Sequence, residues 1–369
     1  MDNNIYNGIA SIMLKKRPFF SIVVPCYNSR KTIGKLLRTI AMQGMNDEIE
    51  VILSDDCSTE SYQDIVNVYS KILSIKQIQT DYNFGPGNTR EKGISIVEGE
   101  WLCFADHDDE FIVNSLREIK EKIILSGEKY YVVTKFYEVN PDTREIIKEY
   151  HYERNLLHGK FFNLDNFWKK HDLHFKKDLK THEDVHLLSH ANYASIVHGT
   201  YPLYIDSPIY CWMAHENSLS RKRFREEYFK KHFFKDYIDA TGYSYRDCFI
   251  KYNADYDFTK ISMIEVLVYC YFYIQGMKFY NNHNLLFENE EYTKQYLITV
   301  KEMFNVTNKQ IVEFASMDEA TAYIEIRKSA NLYVGTFIES ETFIQFLNRL
   351  HEDVQIRETM SQVMKKEYL

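Results

Sequence analysis

Three short apolar runs each break off into a polar cluster, and this repeated ending limits the fold more than any other feature of the chain. Phe20–Val24 runs into Pro25-Cys26-Tyr27-Asn28, and Glu50–Leu53 into Ser54-Asp55-Asp56-Cys57-Ser58-Thr59. Trp101–Ala105 runs into Asp106-His107-Asp108-Asp109. Helical spacing lies between them: Ile33, Leu36, Leu37 and Ile40, then Ile65, Val68, Tyr69 and Ile72. A weaker strand over Ser74–Thr80 and a helix over about Thr89–Val97 follow, then a helix over Leu116–Ile124 and a strand over Tyr130–Thr134. Strands that alternate with helices predict an α/β fold with a doubly wound, mostly parallel sheet. Such sheets bind ligands beyond the carboxyl ends of their strands, so the three polar clusters should meet on one edge.

The regularity weakens after about residue 140. Asn140-Pro141-Asp142 reads as a turn between two strand-like stretches, and residues 151–220 are rich in His, Trp and Asp. From about 221 the pattern becomes mostly helical, with apolar stripes such as Ile264, Leu267, Val268 and Tyr271. This predicts a catalytic or binding domain over 1–220. A mostly α-helical domain over 221–369 would serve acceptor binding, oligomerisation or structural support. The boundary is set at the charge run 221–225 (RKRFR).

Each polar cluster has a functional and a plain structural explanation. Three carboxylates within Asp106–Asp109 repel one another, and Mg²⁺ or Mn²⁺ is a natural counter-charge because hard ions take carboxylate and phosphate oxygens. A solvated acidic turn explains the same residues. Asp55-Asp56 can accept hydrogen bonds from a base or a ribose, or can cap the next helix with Ser58 and Thr59. Asn83–Gly93 (NFGPGNTREKG) has glycines for close backbone approach and Arg90 for phosphate or for the aspartates, yet it matches neither GxGxxG nor a P-loop. Glu183 and Asp184 open an apolar helix, where a carboxylate is commonplace, and His215 lies within the segment Tyr210–Ser220 as either a ligand or a structural histidine.

Charge and cysteine content narrow the partners and the compartment. A net charge of −8 gives no nucleic-acid footprint, and the one local cationic candidate is Phe167–Lys180. The six cysteines are scattered without CxxC spacing and are expected to be reduced. The N-terminal residues hold no long apolar stretch of the signal-peptide kind. The longest apolar run, Ile261–Ile274, is interrupted by Ser262 and Glu265 and is too short to span a bilayer. The chain is therefore expected to be cytoplasmic, without a transmembrane segment.

Taken in order, five segments resemble the family-2 glycosyltransferases of the GT-A fold. SIVVPCYN is similar to that family's opening strand, and SDDCSTE to its DDgStD segment. DYNFGPGNTREKGISIVEGEWLCFADHDD resembles its long stretch that ends in DxDD. HEDV resembles its ED motif and YCWMAHENSLSR its terminal segment with a conserved-type histidine. Two positions depart: Thr89-Arg90-Glu91 stands where the family often has Ala-Arg-Asn, and His107 fills the variable place of DxD. The resemblance covers about residues 20–220.

The resemblance implies a metal-dependent, inverting hexosyltransferase that uses a UDP-sugar. The transferred unit is expected to be glucose, galactose or an N-acetylhexosamine. It implies that Pro25, Tyr27 and Asn28 line the base pocket, Asp56 pairs with uracil and Arg90 helps hold that pocket. Asp106 would face the ribose, Asp109 would support the metal or donor sugar, and Asp108 and His215 would hold Mn²⁺ or Mg²⁺. Asp184 would be the general base, with Glu183 beside donor or acceptor. Glycan, wall polymer, lipid carrier, protein and modified base all remain open as the hydroxyl-bearing acceptor, and the aromatic-rich second domain can support a homo-oligomer. The competing expectation is a catalytically inactive nucleotide-sugar or carbohydrate-binding module. A nucleotidyltransferase would want a glycine-rich basic loop that PCYNSRKT does not supply.

Overall fold

The computed structural model describes residues 17–151, 156–177, 179 and 181–215. The predicted helical region 221–369, with its boundary and its Tyr- and Phe-rich stripes, lies outside the described residues. Backbone contacts divide the chain into two compact units. One joins Met1–Lys180 to Tyr201–His215, and the other joins Thr181–Thr200 to Glu216–Leu369.

In the first unit the apolar runs become strands β1 (Phe20–Cys26), β2 (Ile49–Asp55), β3 (Ser74–Gln79) and β4 (Trp101–Phe104). They lie parallel in the order β3-β2-β1-β4, so the chain winds one way from β1 to β2 and β3 and then crosses back to β4. That reversal makes the carboxyl ends of β1 and β4 neighbours, which is where doubly wound sheets form their ligand crevice.

The rest of the sheet is mixed. β5 (Glu110–Phe111), β6 (Tyr131–Val139), β7 (Ile146–Tyr150), β8 (Lys160–Asn163) and β9 (Leu203–Met213) complete nine strands. β8 lies between β4 and β6 and runs antiparallel to both, while β9 is parallel to β6 and antiparallel to β5. β6 and β7 form the hairpin expected around Asn140-Pro141-Asp142, where the Asn140 side chain accepts from the N–H groups of Asp142 and Thr143.

Helices α1 (Ile33–Ala41), α2 (Gln63–Tyr69), α3 (Pro86–Ile94) and α4 (Ser115–Ser126) connect the strands. All four apolar positions predicted for α1 are buried. The stripe predicted for α2 holds at Ile65 and Tyr69, which pack against the core, and fails at its other two positions. Val66 is the buried residue, whereas Val68 and Ile72 are 61% and 49% exposed. The helix is only two turns long and ends at Tyr69, so a 3.6-residue pattern carried to residue 72 overruns it. α3 starts three residues before its predicted start, with Pro86 in its first turn and Gly85 just before it at φ 89°. It packs tightly on the sheet: a Cβ on Gly93 would lie 2.8 Å from a Val23 methyl carbon. Cys26, Cys57, Cys103 and Cys211 are free, and burial raises the thiol pKa of Cys26 to about 12.

The second unit contributes one described helix, α5 (Glu183–Val197). It buries Leu187, Leu188, Ala191 and Ala194, and the rings of His186 and His190 lie 4.5 Å apart. No described helix is long and apolar enough to cross a membrane.

Candidate active site

The three polar clusters meet at the carboxyl ends of β1, β2 and β4. Strand register fixes this: Cys26 pairs with Asp55 and Val23 with Phe104. Side chains then stitch the clusters together. Asn28, itself at φ 49°, uses its Oδ1 to accept from the N–H and hydroxyl of Thr59, each at 3.0 Å, and its own N–H donates to Ser58 Oγ. Thr32 Oγ1 lies 2.8 Å from His107 Nδ1, tying the start of α1 to the acidic turn. Pro25 is buried opposite Ser54, and Tyr27 is 46% exposed.

Asp56 is buried and holds a loop together. Its carboxylate accepts from Thr80 Oγ1 at 3.1 Å and from the N–H groups of Phe84 and Gly85 at 2.9 Å each. Three of its roughly four lone-pair directions are thus used within the chain, which leaves room for one outside donor. The loop it fixes carries the exposed Tyr82 and Phe84, whose rings meet edge to face at 5.9 Å.

Arg90 reaches back from α3 to the acidic turn. Its guanidinium donates to Asp106 Oδ1 at 2.7 Å and lies 5.8 Å from the centre of the Phe175 ring. The residue after it, the departure Glu91, accepts from the Phe175 N–H at 3.0 Å. Asn88, one turn earlier, donates to the Lys177 carbonyl at 3.1 Å. Glu91 and Asn88 together therefore anchor the backbone at Phe175 and Lys177 to α3, a purpose that the residue type of Glu91 alone did not reveal.

The three carboxylates of the acidic turn sit in different fields. Burial works against ionisation of Asp106, but Arg90, helped by His158 and His107, holds its carboxyl below the usual aspartate range. Burial and the neighbouring Asp106 raise Asp108, against the opposing pull of His107 and His215. Asp109 is 1% exposed and is pushed well above the usual range by burial, Asp108 and Asp106. Its oxygens nevertheless have fixed partners: Tyr210 Oη donates to Oδ2 and the Met213 N–H to Oδ1, each at 2.7 Å. His215, two residues beyond Met213, is half-buried, and its N–H donates to the Met213 carbonyl.

His158 was not singled out from the sequence, yet it belongs here. β8 runs antiparallel to β4 with Cys103 opposite Phe161, and continuing that register places His158 level with Asp106. Ligating atoms of Asp106, Asp109 and His158 all lie within 4.8 Å of one another. The imidazole stacks on Tyr210 and Trp212, with centroids 5.3 and 5.6 Å away. Burial lowers its pKa to about 4, so the ring is neutral near pH 7. The usable signal was a histidine just before a glycine at the mouth of a short strand. A lone histidine in a His-rich stretch carries little weight until the partner strand is known.

This donor set suits a divalent ion. Crowded carboxylates and a neutral imidazole are what a hard cation relieves and engages. Asp109 is the least available of them, because both its oxygens are already bonded.

The span 21–192 matches the family described as Glycosyl transferase family 2. Residues 21–192 are a family-2 glycosyltransferase domain. Among curated relatives, poly(ribitol-phosphate) beta-N-acetylglucosaminyltransferase TarS of Staphylococcus aureus is 40% identical over 101 residues, 27% of this chain and 18% of that protein. Poly(ribitol-phosphate) beta-glucosyltransferase of Bacillus spizizenii is 40% identical over 92 residues, 24% of this chain and 14% of that protein. The match thus spans less than a fifth of either relative. The crystal structure of S. aureus TarS 1–349 in complex with UDP-GlcNAc superposes with a TM-score of 0.54 at 20% identity, covering 94% of this chain and 90% of that one. At that identity the likeness speaks for the fold, which is the expected GT-A type.

The ED pair belongs to the other unit. Glu183 is buried and Asp184 half-buried in the first turn of α5, where Asp184 Oδ1 accepts from the Val185 N–H at 2.9 Å. His182, just before the helix, has φ 58°.

Proposed function

We propose that the chain transfers a hexose or N-acetylhexosamine from a UDP-sugar to an acceptor hydroxyl, with inversion. The observation that carries this reading is the Arg90–Asp106 ion pair at the crevice between β1 and β4. A nucleotide fits there, with its base near Tyr27, Asn28 and Asp56 and its ribose near Asp106. Asp108 and His215 would hold Mn²⁺ or Mg²⁺, beside the turn where ligating atoms of Asp106, Asp109 and His158 cluster. A bound cation of this kind neutralises charge on a leaving diphosphate.

An acceptor hydroxyl is a poor nucleophile, so a carboxylate must take its proton as it attacks the anomeric carbon. We assign that proton to Asp184. Its place in the first turn of α5 supports the role, since a helix N-terminus favours an ionised carboxylate. A single displacement by a base on the acceptor side gives inversion. The two poly(ribitol-phosphate) relatives support a polymer of that kind as acceptor.

A donor screen by calorimetry and turnover, with and without Mn²⁺, tests the proposal. UDP and one UDP-sugar should bind in the micromolar range and more tightly with the metal. Tighter binding of GDP or CMP than of UDP would refute the donor assignment. Donor binding without hydrolysis or transfer to any acceptor would favour the inactive-module alternative.

A further inference from the structure

The acidic turn and the histidine beyond it are joined through one phenol oxygen. Tyr210 lies in β9, opposite Phe111 of β5, and is 1% exposed. Its Oη accepts from the Asp106 N–H at 2.9 Å and donates to Asp109 Oδ2 at 2.7 Å. One atom thus bridges the first and last residues of the turn, with Asp108 held between them. The turn is closed again by the Asp109 N–H, which donates to the Asp106 carbonyl at 3.1 Å. Asp109 then uses its other oxygen to catch the Met213 N–H, two residues before His215. The ring itself is fixed by Phe111 at 5.1 Å, edge to face, and by the stacked His158 at 5.3 Å.

We propose that Tyr210 is a positioning residue: its hydroxyl, acting through Asp109, sets the reach between Asp108 and His215 and so the strength with which they hold a divalent cation. This rests on the metal site proposed above. The β5–β9 ladder pairs Glu110 with Cys211 and Phe111 with Tyr210 just beyond the turn, and the clamp extends that tie through Asp109 to Met213, two residues short of His215. Ligating atoms must be held within about half an ångström for a metal site to be preorganised. Tyr210 therefore touches neither donor nor ion, yet fixes where two ligands point.

The test is Tyr210→Phe in the full chain. Phenylalanine keeps the ring contacts with Phe111 and His158 and removes only the hydroxyl. Mn²⁺ affinity is read directly by electron paramagnetic resonance of the free ion, and UDP affinity by calorimetry with Mn²⁺ and with EDTA. The expected result is roughly a tenfold loss of Mn²⁺ affinity, in the range of lost supporting contacts around metal ligands. UDP binding should weaken similarly with Mn²⁺ and change less than about twofold in EDTA. Asp109→Asn, which keeps the size of the side chain, should show the same split. Melting temperatures are recorded for both variants. A folded Tyr210→Phe or Asp109→Asn protein with wild-type Mn²⁺ affinity overturns the proposal, even if its melting temperature has dropped. Absence of Mn²⁺ binding in the wild type overturns it through the metal site, while UDP binding in EDTA would leave the donor assignment standing.

Discussion

At the amino ends of β1 and β2, Glu50 is fully buried and fully occupied. Its Oε1 accepts from Ser21 Oγ, the Glu98 N–H and the Gly99 N–H, and its Oε2 faces Lys76 Nζ at 2.8 Å. Burial raises the carboxyl, but Lys76 and these donors more than offset it, and Glu50 ends below the usual glutamate range. At the carboxyl ends of the same strands, three carboxylates share one turn. Asp108 is raised by burial and Asp106, and Asp109 by burial, Asp108 and Asp106; of the three, only Asp106 is ion-paired among the described residues, to Arg90. One sheet therefore holds both a buried acid that strengthens the fold and buried acids that strain it. Perturbation without local compensation is the mark of a functional site, since it leaves a charge for a ligand to complete. The contrast predicts that substitutions at the two ends separate activity from stability.

The largest effects belong to the carboxyl end and to Asp184. Asp108→Ala should abolish transfer and most metal-dependent donor binding. Its melting temperature should hold or rise, because a like charge leaves a crowded turn. Wild-type turnover in this variant would remove Asp108 from the metal site. Asp184→Asn should lower turnover by about 10²–10⁴, the usual value of a positioned base, with donor and metal affinity within a few fold. Asn caps a helix about as well as Asp, so a stable variant with unchanged turnover would reduce Asp184 to a cap.

Glu50→Gln should reverse that pattern. It leaves Lys76 facing an amide and keeps the other donors only in part, at a cost of about 2–3 kcal/mol of stability. UDP affinity should stay unchanged. A loss of affinity without a loss of stability, measured by urea unfolding and calorimetry, would break the comparison between the two ends.

A bound cation should stabilise one end alone. At a hundred times its Kd, Mn²⁺ should add about 2.7 kcal/mol to the wild type. The same gain should persist in Glu50→Gln and vanish in Asp108→Ala. Equal stabilisation of all three proteins would place Mn²⁺ elsewhere.

Much of the carboxyl end was legible in the sequence because strand endings are local. The residues Pro25–Asn28, Asp55–Thr59 and Asp106–Asp109 each follow an apolar run, and a parallel sheet brings such endings together. What stayed hidden depends on pairings between distant segments. β8 enters between β4 and β6 from residues 160–163, and only then does His158 come level with Asp106. Tyr210 reads only as the start of the segment that resembles the family's terminal motif until β9 is set beside β5. Glu91 reads as a departure from the Ala-Arg-Asn pattern until Phe175 is folded against α3. The short helix α2 misled through its length, since two turns give a periodic pattern too few points to fix every position of its stripe.

A further predicted effect is in the pH dependence of stability, and there the two ends have opposite signs. Glu50 binds its proton more weakly in the folded protein than in the unfolded chain. Its stabilisation is complete above the ordinary glutamate pKa of about 4.3 and is lost as pH falls through the lower folded value. Asp109 binds its proton more tightly when folded. Ionising it costs stability as pH rises from the ordinary aspartate pKa of about 3.9 to the higher folded value, and the cost is complete above that. In EDTA, urea unfolding from pH 3.5 to 7 should therefore separate two variants. Glu50→Gln should lose less stability than the wild type as pH falls below about 4. Asp109→Asn should gain on the wild type as pH rises above about 4, by about 1.4 kcal/mol for each unit that Asp109 is raised. Mn²⁺ should shrink the second difference and leave the first untouched, because a cation offsets the repulsion at the carboxyl end only. If Asp109→Asn keeps a constant offset from the wild type at every pH, Asp109 ionises as an ordinary aspartate and the strain assigned to that end resides in Asp108 alone.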